Sequence, residues 1–192
     1  LFLHGNPTWS FAFRRYILAA RETARAIAPD HIGCGLSAKP PDDLYTYRLA
    51  SRVDDIEALL SHLGIRRNLT LVLHDWGGMI GMAYAARHPE SIGRLVLFNT
   101  AAFPLPKSKA FPTELAVCRT PLLGALLVRG LNAFCRGALR TGCARGPLSR
   151  EVRRAYLAPY DSWSARRAVH RFVEDIPLRP GHPTGAAAGR PS

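Results

Sequence analysis

Along the first hundred residues the spacing of apolar positions switches between a period of two and a helical period, which predicts alternating strands and helices. LFLH (1–4) reads as a strand, stopped by the polar turn GNPTWS (5–10). FAFRRYILAA (11–20) has helical spacing, ARAIAPD (24–30) reads as a short strand, and HIGCGLSAKPPDD (31–43) is a loop by its Gly and Pro content. Between Tyr47 and Leu63, residues Leu49, Val53, Ile56, Leu59, Leu60 and Leu63 form one helical face, which Gly64 closes. NLTLVLH (68–74) reads as a buried strand. Met79, Ile80, Met82, Ala83, Ala85 and Ala86 then recur at helical spacing to about His88, before Pro89. GRLVLFNT (93–100) is the next strand. Strands and helices that alternate through short connections predict a parallel sheet with helices on both faces.

From Pro104 onward no β-rich run remains. TELAVCRTPLLGALLVRGLNAFCRGAL (113–139) is apolar and helical, and SREVRRAYLAPYDSWSARRAVHRFVEDIPL (149–178) is amphipathic and broken at Pro159. A membrane span over 113–139 is excluded, because Arg119, Pro121, Arg129 and Arg136 leave no uncharged run near the roughly 20 residues a span needs. The expected organisation is a core (1–103), a helical lid over the strand ends (104–178), and a disordered Gly/Ala/Pro tail (179–192). An interfacial contact of the lid with a membrane stays open.

A chain of 192 residues with 47% hydrophobic content can bury one domain core. The net charge of +12 is almost all arginine, since the only lysines are Lys39, Lys107 and Lys109. Such a balance attracts nucleic acid or an anionic membrane without specificity. No aromatic-interleaved basic stripe, zinc-finger spacing or RNA-binding signature accompanies it, so specific nucleic-acid binding is not expected. Cys34, Cys118, Cys135 and Cys143 lie far apart with no CxxC, which argues against a metal site and fits small buried thiols in a reducing cytoplasm.

The candidate chemistry lies in LVLHDWGGMIG (71–81), where Asp75 stands between a strand and a glycine-marked turn into a helix. Such an elbow lifts one side chain above the sheet edge. An Asp there could also simply cap the helix. In a parallel sheet, sites collect at the carboxyl ends of the strands. His4, Gly5, Asn6, Asp30, Asp75, Trp76 and Asn99 all fall there, so Asp75 is expected in a site. His74 should point away from it by strand alternation, His4 should support its turn, and His170 should be structural.

HGNPTWS (4–10), PDHIGCGLSAKP (29–40), LVLHDWGG (71–78) and LFNTA (97–101) resemble, in order and spacing, the α/β-hydrolases of the haloalkane dehalogenase group. HDWGGMIGMAYAARHPE, LFNTAAFPLPK, and VRRAYLAPYDSW through RFVEDIPL most resemble the β-lactone decarboxylases of bacterial long-chain olefin biosynthesis. The resemblance implies an α/β-hydrolase fold, Asp75 as nucleophile, and Asn6 and Trp76 as donors to the leaving group or oxyanion. It implies an apolar small-molecule substrate, no cofactor and no metal. The implied reaction is decarboxylation of a cis-β-lactone to an alkene, with haloalkane dehalogenation or epoxide hydrolysis as alternatives. The family's catalytic histidine and its acid are expected after the lid, where this sequence offers only His182, and Asn99 cannot serve as an acid. The chain therefore reads as truncated at both ends, with about four of the family's eight strands. It is expected to be alkylated or acylated at Asp75 without turning over, or to be an inactive remnant. Association with a membrane surface or a pathway enzyme, and the oligomeric state, stay open.

Overall fold

Leu69–His74 (β2) is the middle strand of a three-stranded parallel sheet, flanked by Phe2–Leu3 (β1) and Ile92–Phe98 (β3). The computed structural model describes residues 1–101, 110–143, 146–178, 182 and 184. Phe2 aligns with Val72 and Leu3 with Leu73, while Leu71, Val72 and His74 align with Leu95, Val96 and Phe98. Because side chains alternate along a strand, this register puts Phe2, Val72, His74, Val96 and Phe98 on one face and Leu3, Leu71 and Leu73 on the other.

The second face is the core. Leu3, Leu71 and Leu73 are fully buried with Leu49, Val53, Ile56 and Leu60 of Leu49–His62 (α2) and Ile80 and Ala83 of Trp76–Arg87 (α3). Each of the Leu, Ile and Val side chains contributes about 1.5–3 kcal/mol by leaving water. Helix α3 lies directly on the sheet because Gly77 has no side chain; a Cβ there would sit 2.0 Å from the Leu3 carbonyl oxygen. On the first face, a short 3₁₀ turn (Ser10–Phe13) and Arg14–Ala20 (α1) bring Phe13 against Phe2 and Tyr16 against Phe98.

The expected strand at 24–30 is not formed. Ile27 contributes only its carbonyl, which accepts from the Phe2 N–H at 2.8 Å. Pro29 lacks an N–H, and β1 is two residues long, so no ladder can propagate. At the other side of the sheet, Leu95, Val96 and Leu97 of β3 are 42%, 39% and 54% exposed.

The apolar stretch 113–139 folds as three short helices, Thr113–Cys118 (α4), Pro121–Ala125 (α5) and Ala133–Thr141 (α6), with a single π turn at Leu126–Gly130. Pro121 starts α5, and Asn132 takes a left-handed conformation (φ 54°) before α6, which explains the breaks. The amphipathic stretch gives Arg150–Leu157 (α7) and Arg167–Glu174 (α8). Helix α8 joins the main core through Ala168 and Phe172, whereas Val128, Cys135, Tyr160 and Val169 form a second small core. The expected tail, 179–192, lies outside the described residues except for His182 and Thr184; Thr184 Oγ1 donates to Asp175 Oδ1 at 2.7 Å.

Candidate active site

Asp75 occupies the turn between β2 and α3 with φ 53° and ψ −126°, a conformation that costs a non-glycine residue about 1–3 kcal/mol. It does not cap α3 through a side-chain hydrogen bond. Its Oδ1 instead accepts from the backbone N–H of Asn6, at the end of β1, at 2.7 Å. The backbone N–H of Trp76 acts on the same carboxylate. Burial pushes the Asp75 carboxyl above the ordinary carboxylate range, and these two N–H groups, with His74 nearby, pull it back. The turn is fixed from behind by Thr100, whose Oγ1 donates to the Asp75 carbonyl at 2.6 Å. Gly5 permits the approach, since a Cβ there would lie 2.1 Å from Asp75 Oδ1.

Asp75 opens onto a cavity of about 520 Å³. Asn6 and Asn99 supply polar groups to its wall, and Phe13, Phe98, Leu139 and Leu157 supply hydrocarbon. Asn6 Nδ2 donates to the Val169 carbonyl at 3.0 Å, and its Oδ1 is buried with no hydrogen-bond partner among the described residues. Trp76 does not line this cavity; its ring packs on Phe172 with centroids 5.2 Å apart. The structure thus joins Asn6 and Asp75 directly, and brings Trp76 to the carboxylate through its backbone.

His74, expected to point away, lines the cavity as well. The register explains it: His74 shares a face with Phe98 and Phe2, and the cavity extends from the strand ends over that face. His4 supports its turn as expected. Its Nδ1 donates to the Gly5 carbonyl and its Nε2 accepts from the His31 N–H, and burial pushes its pKa down to about 4. His170 donates from Nε2 to the Cys118 carbonyl. Asp30 clamps its loop by accepting from the N–H groups of Ser10 and Leu36. Tyr160 donates its hydroxyl to the Thr8 carbonyl at 2.9 Å, whereas Tyr156 lines the cavity.

The family model for the alpha/beta hydrolase fold matches residues 1–117. The chain belongs to the α/β-hydrolase family. The sequence is 56% identical over 179 residues to a protein of Shewanella oneidensis named cis-3-alkyl-4-alkyloxetan-2-one decarboxylase, covering 93% of this chain and 56% of that one. It is 49% identical over 183 residues to a protein of the same name from Xanthomonas campestris pv. campestris, covering 93% of this chain and 61% of that one. This α/β-hydrolase chain therefore spans less than two thirds of the length of these relatives. The crystal structure of the haloalkane dehalogenase DatA from Agrobacterium tumefaciens C58 superposes with a TM-score of 0.85 at 30% identity, over 97% of this chain and 64% of that one.

Two features of this α/β-hydrolase escaped the sequence reading. Arg52, on the apolar face of α2, is fully buried and lies 3.5 Å from the Phe172 ring centroid, with its Nε unpartnered. Asp175 is buried just after α8 and accepts from the Leu49 N–H (2.9 Å) and the Arg48 guanidinium (3.0 Å). No local pattern marks either residue, because Phe172 for Arg52 and Leu49 and Arg48 for Asp175 lie more than a hundred residues away in sequence. Burial favours the protonated form of two thiols, pushing Cys34 up to about 11 and Cys135 up to about 12.

Proposed function

We propose that Asp75 is the nucleophile of an enzyme that opens an apolar cis-β-lactone and releases an alkene and CO₂. The observation that supports this reading best is the Asp75 carboxylate itself, with one oxygen held by the Asn6 N–H at the wall of a largely apolar cavity. The names of the relatives from Shewanella oneidensis and Xanthomonas campestris point to the same substrate class.

In the first step the Asp75 oxygen not held by Asn6 attacks the saturated ring carbon that bears an alkyl arm and is bonded to the ring oxygen. A carbon–oxygen bond to Asp75 forms, the ring carbon–oxygen bond breaks, and its electron pair leaves as a carboxylate. The second amide hydrogen of Asn6 would offer that developing charge a donor. In the second step the bond from the adjacent carbon to that carboxylate breaks and CO₂ leaves. The electron pair becomes the carbon–carbon double bond, and the bond to Asp75 breaks, restoring its carboxylate. No proton moves and no water is consumed. The lid expected over 104–178 would exclude water, with Leu139 and Leu157 against the alkyl arms.

A haloalkane substrate is the second reading, favoured by the 33% identity over 177 residues to a protein of Mycobacterium tuberculosis named haloalkane dehalogenase 2. Its first step is the same displacement at carbon, but the resulting ester is released only by water, which needs a general base. The two fates separate experimentally. A synthetic dialkyl cis-β-lactone should yield alkene in the head space, because this release needs no histidine base and so departs from the stalled Asp75 ester expected from the sequence. A haloalkane should instead leave an alkyl adduct on the peptide holding Asp75, read by mass spectrometry. Absence of both from folded chain, or an unchanged result with Asp75→Asn, would overturn the assignment.

A further inference from the structure

The outer surface of the C-terminal helices carries apolar side chains that no described residue covers. Leu122 is 87% exposed, Leu126 53%, Leu131 59% and Trp163 48%. They are neighbours. Leu122 and Leu126 lie four residues apart where α5 runs into the π turn. The Leu131 N–H donates to the Leu126 carbonyl at 2.9 Å. A Cβ on Gly130 would touch Leu126 at 3.1 Å and Trp163 at 3.7 Å. Exposed large apolar groups gathered in this way mark a docking surface.

Charge identifies the occupant. Between Leu115 and Arg150 the chain has no Asp or Glu and six arginines, at 119, 129, 136, 140, 145 and 150. Arg119 is engaged with the carbonyls of Val173 and Ile176. The Arg129 guanidinium lies 4.6 Å from the Trp163 ring centroid, within the patch. Arg136 and Arg140 are exposed on α6, whose other side turns Cys135, Ala138 and Leu139 toward the cavity. Of the acids around this region, Asp42 pairs with Arg167 and Arg171, and Glu174 pairs with Arg171. Apolar groups to insert, an aromatic ring at their edge and an excess of guanidinium groups form the pattern of an interfacial helix on an anionic bilayer. Among the described residues no single helix is long and apolar enough to cross a membrane. Pro121–Gly130 and Ala133–Thr141 reach that composition only together, and they are bent by 68°. That geometry suits lying along a surface.

We infer that the face formed by Leu122, Leu126, Leu131 and Trp163 docks onto an anionic phospholipid bilayer, with Arg129, Arg136 and Arg140 on the headgroup phosphates. This docking is independent of the role of Asp75. It sets α6, one wall of the cavity, at the boundary where hydrocarbon ligands partition.

Flotation of the chain with phosphatidylcholine vesicles, with and without phosphatidylglycerol, tests the assignment. Binding is expected only to the anionic vesicles, with release by salt and a blue shift of tryptophan emission that Trp163→Phe removes while binding persists. Arg136→Gln with Arg140→Gln should weaken partitioning about 25-fold, about fivefold per charge. Leu122→Glu with Leu126→Glu should abolish binding and leave the melting temperature unchanged. Equal binding to both vesicle types, absence of binding, or binding indifferent to the Glu pair would overturn the proposal. So would a concentration-dependent dimer in sedimentation velocity that the Glu pair dissolves, since that result assigns the face to a second copy of the chain.

Discussion

The backbone N–H of Asn6 reaches Asp75 Oδ1 at 2.7 Å across 69 positions of sequence, so the end of one strand holds the carboxylate raised by its neighbour. This contact makes the two carboxylate oxygens unequal. One is anchored by the Asn6 amide, and under the proposed function the other is the one that would attack.

Burial raises the Asp75 carboxyl in the folded state. Its unfolded value is about 3.9, so the native state binds the proton more tightly. Stability then falls as pH rises through the folded value and the carboxylate is left charged and buried. Asp75→Asn should therefore melt above the parent chain at neutral pH, with the difference vanishing near the acid limit, where the parent is protonated in both states. Thermal melts across pH check this, and a variant less stable at neutral pH would contradict it.

Under the proposed function the same raised carboxyl sets the pH dependence of reaction at Asp75. Covalent labelling of Asp75 by a haloalkane should decline on acidification at a midpoint above the ordinary aspartate value of about 3.9, because only the ionised form attacks carbon. Labelling rates measured by mass spectrometry across pH report that midpoint directly.

Gly5→Ala tests the close approach. A Cβ 2.1 Å from Asp75 Oδ1 must displace the carboxylate from the Asn6 amide. The expected cost is about 1–3 kcal/mol of stability, as for other overpacked sites, with labelling at Asp75 lost even where the variant stays folded. Retention of the parent labelling rate would show that the contact does not position the nucleophile.

Asp175 fastens the end of the helical region to the start of α2 through Leu49 and Arg48, and also accepts from Thr184. Asp175→Ala leaves the buried Leu49 N–H without its acceptor, a loss of about 1–3 kcal/mol. Denaturant melts should register it, and hydrogen exchange should rise at the first turn of α2 before other core amides.

The sequence was a good guide wherever the deciding force acts over a few residues. The periods of Leu49–Leu60 and Leu69–Leu73 gave a helix and a strand that the structure contains, and Gly64 ends α2 with a left-handed φ of 69°. Its guidance failed where neighbours decide. Residues 24–30 have a strand-like pattern, but their partner β1 is too short to extend a ladder. His74 obeys strand alternation, yet the cavity spreads onto the face where that alternation sends it.

By itself, the sequence determined the order β2, α3, β3 after helix α2, the elbow at Asp75 and the gathering of Asn6, Asp75 and Asn99 at one edge of a parallel sheet. Periodicity and turn chemistry are short-range, and strand ends in such a sheet coincide by construction. Only the tertiary structure decided which N–H groups hold the carboxylate, that Trp76 turns its ring to Phe172, and that Arg52 is buried with no carboxylate ion pair among the described residues. Those outcomes depend on packing between segments far apart in the chain, where shape and solvent exclusion, not local preference, select the contact.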